Sequence, residues 1–118
     1  VWSSCPAEFG VTATLERLEQ IEPKVILSAD TYRYNGKTVP IFPKLQDILA
    51  KLPSVKNVIV VGQLYSDREP REKFPAPQHS QKWWTWNEVK QGAGAPAEIN
   101  FERVDAMTPV WSESLSET

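Results

Sequence analysis

Two short apolar runs, both rich in β-branched residues, constrain the fold of this chain more than any other feature. Residues 25–27 read Val-Ile-Leu, and residues 58–61 read Val-Ile-Val-Val. Both runs are too short for a helix, and uninterrupted apolar runs of this kind are typical of parallel strands covered on both faces. The sequence therefore predicts strands that lie in the middle of a layered structure.

Amphipathic helices accompany these strands. Apolar residues recur at helical spacing over residues 11–21, and Pro23 should end this helix because a proline forces the preceding residue out of the α region. A second helix is expected to begin near Pro43, which suits the first helical position, and to stop before Pro53. Its buried stripe would consist of Leu45, Ile48, Leu49 and Leu52. Because helices connect the strands, the predicted fold is a three-layer α/β piece with a parallel sheet.

A small hairpin is predicted at residues 32–39. Asn35-Gly36 supplies the two positive-φ positions of a type I′ turn, and the flanking residues are mostly strand formers. Arg33 and Lys37 flank this turn, and a cationic hairpin tip can hold a ligand phosphate. The same pattern also fits an ordinary solvated turn, so both readings stay open at this point.

The chain changes character after its second apolar strand. Prolines punctuate a charged stretch over residues 64–81, which predicts a surface excursion. Residues 83–90 hold three tryptophans, and we expect them to form a short helix that packs its rings against a neighbouring layer. We therefore predict a partial α/β domain at residues 1–91 and an irregular, partly disordered tail at residues 92–118.

Composition argues against several classes of function. The net charge is −2 and the basic residues are spread among acidic ones, whereas a nucleic-acid-binding surface needs clustered basic residues. The apolar runs are far too short to cross a bilayer. The single cysteine, Cys5, permits no internal disulfide, so a reducing, cytoplasmic location is expected. We expect neither a nucleic-acid partner nor a membrane.

The sequence shows no constellation of catalytic or metal-binding residues. Cys5 and His79 are single residues far apart in the sequence; Cys5 is expected to be small and buried, and His79 to be solvated. No Cys, His and carboxylate residues have the spacing of a metal site. Both common glycine-rich phosphate-binding loops are also absent from the sequence. We therefore assign no catalytic residue and no metal ligand.

Several runs of the sequence resemble acetoacetyl-CoA synthetases. These runs are Val1-Trp2-Ser3-Ser4-Cys5, Phe9-Gly10-Val11, Leu15-Glu16-Arg17, Gln20 to Val25, and Tyr32 to Lys37. The resemblance is dense over residues 1–37, continues through residue 61, and is patchy over residues 83–111. Acetoacetyl-CoA synthetases are adenylate-forming acyl-CoA ligases and are close to acetyl-CoA synthetases.

The resemblance implies a part in a two-step reaction. In this family, ATP and a short-chain carboxylic acid form an acyl-adenylate and pyrophosphate, and CoA then displaces AMP to give the thioester. The chain would come from the large N-terminal domain, so that the intact enzyme, rather than this piece, would bind ATP, Mg and CoA. We expect no cofactor in the piece itself.

The resemblance also implies which residues face CoA. Trp2, Ser3 and Ser4 would lie near the channel for the CoA pantetheine arm. Arg33 and Lys37 would contact the nucleotide phosphates of CoA. Lys37 stands where the acetyl-CoA synthetase pattern has an arginine, and a lysine still offers a phosphate a point charge.

The end of the sequence departs from the family pattern. Residues 101–111 resemble the approach to a strand and a Ser/Thr/Gly-rich loop that binds ATP phosphates, but residues 112–118 are acidic and contain neither glycine nor lysine. The sequence begins at Val1 with no secretory signal, and we expect a piece cut from a longer protein. Such a ligase piece should be inactive alone. A free-standing α/β binding or interaction domain is the alternative, and the oligomeric state stays open.

Overall fold

The computed structural model describes residues 2–62, 74–75, 79–95 and 97–110. The helices of this part are α1 (Val11–Leu18), α2 (Phe42–Ala50) and α3 (Trp86–Ala93). Its strands are β1 (Val25–Ala29), β2 (Thr31–Tyr34), β3 (Lys37–Pro40), β4 (Asn57–Val61) and β5 (Lys82–Thr85). The predicted surface excursion at 64–81 lies mostly outside the described residues, as does the end of the predicted tail at 111–118.

Strand β4 is the central strand of a parallel sheet and lies between β1 and β5. Val25 of β1 pairs with Asn57, and Trp83 of β5 pairs with Val58. Strands β2 and β3 form a separate antiparallel hairpin. The predicted α/β class, the parallel sheet and the small hairpin are therefore confirmed.

The hydrophobic core lies between one face of the sheet and the helices α1 and α2. Val58 and Val60 are buried on this face, and Trp83 joins them in the same cluster. The predicted stripe of the second helix is buried as well, and its members are Leu45, Ile48, Leu49 and Leu52. The Trp83 ring centroid lies 5.9 Å from that of Phe42 and 5.4 Å from that of Phe74, so aromatic rings close the core beside β5.

The opposite face of the sheet is only partly covered in the described part of the chain. Alternate residues of a strand point to opposite faces, so Val25 and Leu27 point away from the core. Their side chains are 52% and 43% exposed. Within the described residues, β1 is therefore covered on one face only, the face whose core cluster also contains Val58 and Val60.

The tryptophan-rich segment differs from its prediction. In place of one helix over residues 83–90, Trp83 and Trp84 belong to β5, and α3 begins at Trp86. Aromatic residues suit a pleated strand, and Thr85 then caps the helix by accepting a hydrogen bond from the Glu88 backbone N–H at 3.2 Å. The expected packing against a neighbouring layer holds for Trp83, which is buried.

Helix α1 is shorter than the sequence suggests. It ends at Leu18, and the backbone N–H of Ile21 donates to the Leu18 carbonyl at 3.2 Å in a tighter turn. Glu22, directly before Pro23, has a positive φ of 47°. The proline excludes the right-handed α region at Glu22, and its effect reaches back one turn further than predicted. Ile21 is consequently 52% exposed.

Candidate functional site

The tip of the β2–β3 hairpin is a tight two-residue turn. Asn35 has a φ of 51° and Gly36 a φ of 76°, the positive values that a type I′ turn requires at both central positions. This turn twists in the same sense as the strands, so the two strands stay paired up to the turn, and residues 33–38 are all exposed. The predicted turn at Asn35-Gly36 is confirmed.

Both cations that flank the turn are exposed, but they belong to opposite faces of the ribbon. The register pairs Arg33 with Thr38 and Lys37 with Tyr34. Because neighbouring residues on a strand alternate in direction, Lys37 shares a face with Tyr34, and Arg33 points from the other face. The tip thus offers one positive charge on each side, which suits a ligand with two separate phosphate groups better than a single phosphate.

The predicted residues of the N-terminal segment are also exposed. Trp2 is 77% exposed, and Ser3 and Ser4 are exposed beside it. The chain then turns, and the Phe9 backbone N–H donates to the Pro6 carbonyl at 3.2 Å. Cys5 is half-buried in this segment, which corrects the expectation that it is a buried residue, because few residues pack around an extended segment at the surface.

Lys44 of α2 holds this turn in place. Its Nζ donates to the Phe9 carbonyl at 2.8 Å and to the carbonyl of Ala7, and it also lies 4.8 Å from the ring centroid of Tyr32 on β2. Lys44 binds the backbone of Phe9, whereas Arg17 contacts its side chain: the Arg17 guanidinium lies over the Phe9 ring, 4.6 Å from the ring centroid. We call the set of Phe9, Arg17, Tyr32 and Lys44 the N-terminal clamp.

Burial and nearby acidic groups act on the pKa of Lys44 in opposite directions. Partial burial lowers the pKa of Lys44 below its ordinary value, and the acidic groups of Cys5 and Glu8 act in the opposite direction. The clamp therefore brings the Lys44 ammonium together with two backbone carbonyl oxygens and the Tyr32 ring beside the hairpin. Sequence reasoning missed Lys44, since a lysine outside the apolar stripe of a helix carries no signal of a contact so distant in the sequence.

Asp30 joins the hairpin to the sheet. Its backbone N–H donates to the Val61 carbonyl at 3.3 Å, and its own carbonyl accepts from the Ile41 N–H at 2.8 Å. The Asp30 carboxylate is fully buried and accepts a hydrogen bond from the Thr31 hydroxyl at 3.2 Å. Asp30 follows β1 at the carboxyl edge of the sheet, where ligands bind in parallel α/β folds. That position, directly after an apolar strand, is the sequence signal that marks Asp30.

Other kinds of site find no support in the described residues. They contain no group of His, Cys, Asp and Glu residues that could hold a metal ion. His79 is exposed, as expected, and one nitrogen of its ring lies 2.7 Å from the Ala50 carbonyl. A search of the same part of the chain finds no helix with the length and apolar character of a membrane span.

Comparisons with known proteins give a consistent result. No protein-family model matches the chain. The acetoacetyl-CoA synthetase of Rattus norvegicus is 31% identical over 112 residues, which are 94% of this chain and 16% of the relative. The malonamoyl-CoA synthetase of Penicillium aethiopicum is 26% identical over 94% of this chain and 15% of the relative. The solved acetoacetyl-CoA synthetase from Streptomyces lividans aligns with a TM-score of 0.62 and 30% identity, over 88% of this chain and 14% of that structure.

These matches define the class of protein: the chain is homologous to one segment of the acyl-CoA synthetases, in sequence and in fold. Its relatives include acetoacetyl-CoA synthetases that are 31% identical over 94% of the chain, and the resemblance seen in the sequence is confirmed. The chain spans no more than 16% of the length of the rat relative.

Proposed function

We propose that this chain acts as part of an ATP-dependent acyl-CoA ligase and supplies a portion of the CoA-binding surface. The homology to one segment of the acetoacetyl-CoA synthetases carries this proposal. The hairpin tip adds support, because CoA bears a diphosphate and a separate 3′-phosphate, and Arg33 and Lys37 offer one cation on each face of the ribbon.

The reaction of the whole enzyme would convert acetoacetate, ATP and CoA into acetoacetyl-CoA, AMP and pyrophosphate. Trp2, Ser3 and Ser4, exposed on the N-terminal segment, would face the pantetheine arm of CoA. ATP and Mg would be bound by other parts of the ligase, because this sequence contains no glycine-rich phosphate loop. A chain without that loop cannot position a triphosphate for attack, so we propose that it is inactive alone.

The exposed apolar surface favours a piece of a larger enzyme over a free-standing domain. Val25 and Leu27 present a half-open sheet face, and Phe101, Met107 and Val110 are 79%, 92% and 87% exposed. Two neighbouring outward positions of one strand left open in this way fit a surface that another part of the protein covers. The alternative of a free-standing binding domain would require a chain that stays monomeric with this surface open to water.

The names of the relatives point to two different carboxylic acid substrates. One relative carries the name malonamoyl-CoA synthetase and the others the name acetoacetyl-CoA synthetase, and both names describe short acids with a carbonyl group at the third carbon. We propose acetoacetate, the acid named for the rat protein and for the solved Streptomyces lividans structure. The half-buried free thiol of Cys5 is consistent with a reducing cytoplasm, which we propose as the location.

A full-length synthetase that carries this segment tests the CoA proposal. It can be made by replacing the matching segment of the Streptomyces lividans enzyme. We expect Lys37→Ala and Arg33→Ala each to raise the KM for CoA about tenfold or more, because a charge-assisted contact to phosphate contributes roughly 1.5–3 kcal/mol. Pyrophosphate exchange, which does not need CoA, should stay unchanged.

Lys51→Ala is the matched control, since Lys51 is an exposed lysine at the end of α2, away from the hairpin tip. Its KM for CoA should equal that of the parent synthetase. An unchanged KM and an unchanged calorimetric dissociation constant for CoA in both hairpin variants would remove Arg33 and Lys37 from the CoA site.

A further inference from the structure

We propose that Lys44 is a positioning residue for CoA: it fixes the segment that bears Trp2, Ser3 and Ser4 to the hairpin that bears Arg33 and Lys37. This inference rests on the proposed CoA function. Nothing in the sequence resemblance assigns a role to Lys44, and the inference comes from the contacts of its ammonium group.

The Lys44 ammonium makes contacts that an exposed helical lysine seldom makes. An ammonium has three donors, and those of Lys44 reach the carbonyls of Ala7 and Phe9 and lie close to the face of the Tyr32 ring. These partners belong to two separate pieces of chain, the N-terminal turn and strand β2. Lys44 itself sits in the first turn of α2, a rigid element of the core. One side chain thus joins three parts of the fold.

The contacts orient the segment rather than stabilise the core. The Ala7 carbonyl belongs to an exposed residue and Lys44 is half-buried, so water can replace the hydrogen bonds when the ammonium is removed. Arg17 still holds the Phe9 ring from α1. Loss of Lys44 should therefore leave the fold intact while the N-terminal segment gains freedom to move.

Freedom in this segment would weaken CoA binding in particular. CoA is a long ligand, and its phosphates and its pantetheine arm would contact the hairpin and the N-terminal segment respectively. Tyr32 and Lys37 share one face of the hairpin, so the clamp contacts the side of the ribbon that carries Lys37. A ligand that spans two elements binds most tightly when their separation is fixed in advance. Adenylate formation needs no CoA, so we expect it to be unaffected.

The test uses the same full-length synthetase with Lys44→Met, which keeps the apolar stem, and Lys44→Arg, which can still donate to the two carbonyls. We expect Lys44→Met to raise both the KM and the dissociation constant for CoA about fivefold, with pyrophosphate exchange unchanged. Hydrogen exchange of the peptide that spans residues 2–10 should accelerate, because the turn at Phe9 loosens. Lys44→Arg should restore most of both properties.

Lys56→Met is the matched control, because Lys56 also donates to a backbone carbonyl, that of Pro53 at 3.3 Å, but only within its own loop. It should change neither CoA binding nor exchange at residues 2–10. Unchanged CoA binding in Lys44→Met, while Lys37→Ala weakens it, would overturn the role of Lys44 alone. Unchanged binding in the Lys44, Arg33 and Lys37 variants together would overturn the CoA proposal itself. A loss of CoA binding with no change in hydrogen exchange at residues 2–10 would overturn the positioning role.

Discussion

Replacing glycine by alanine at two positions of this chain should change stability in opposite directions. Gly36 forms the hairpin turn with a φ of 76°, and Gly92 lies inside α3. At both positions an added Cβ meets no atom within 4 Å. Steric contact with neighbours therefore cannot decide the outcome, and the backbone conformation decides it alone.

The expected magnitudes follow from that conformation. A non-glycine residue in the left-handed region costs roughly 1–2 kcal/mol, and the reduced freedom of the unfolded chain returns about 0.4–1 kcal/mol. Gly36→Ala should therefore destabilise the chain by about 1 kcal/mol, and Gly36→Val by more because β-branched residues are strained at positive φ. Gly92→Ala should stabilise it by about 0.5–1 kcal/mol, since glycine weakens a helix relative to alanine.

Urea unfolding followed by tryptophan fluorescence measures these changes. With a dependence of about 1–3 kcal/mol per molar urea, a change of 1 kcal/mol moves the midpoint by roughly 0.3–1 M, which is easily resolved. Gly36→Asn serves as the control because asparagine tolerates the left-handed region. Equal midpoints for Gly36→Val and the parent chain would refute the turn geometry, and a lower midpoint for Gly92→Ala would refute the reasoning for the helix.

Two further predictions concern activity and helix capping. The chain alone should show no acetoacetate-dependent exchange between ATP and pyrophosphate, because it lacks a phosphate-binding loop; exchange above that of a boiled sample would contradict its proposed inactivity. Thr85→Ala should lower the free energy of unfolding by about 1 kcal/mol by removing the cap on the Glu88 N–H, whereas Thr85→Ser should keep most of it. Equal urea midpoints for the alanine and serine variants would show that the cap contributes nothing.

The sequence predicts those parts of the structure whose causes are local. Asn35-Gly36 requires positive φ at consecutive positions, and the spacing of Leu45, Ile48 and Leu49 requires one buried helical face, so both features follow from short windows. The split of the tryptophan segment into β5 and α3 was also visible locally, because Thr85 and Glu88 have the spacing of a capping box.

The remaining features depend on contacts between distant parts of the chain. Lys44 donates to the carbonyl of Ala7, 37 residues away in the sequence, and to that of Phe9, 35 residues away. No local sequence pattern marks such contacts. The opposite facing of Arg33 and Lys37, by contrast, follows from the two-residue turn, because such a turn pairs Tyr34 with Lys37 and so fixes the register. Which face of the sheet stays open depends on where both helices pack. The turn at Asn35-Gly36 was therefore predictable from the sequence, whereas the contacts of Lys44 were not.

The junction at Asp30 has a consequence for the order in which the chain folds. The β2–β3 hairpin closes through neighbouring residues and can form within microseconds, whereas the pairing of β1 with β4 must first close a much longer loop. The hydrogen bond from the Asp30 N–H to the Val61 carbonyl exists only after that pairing. The basic hairpin should therefore appear early as a loosely attached ribbon, and its direction relative to the sheet should become fixed late, when β4 takes its central place.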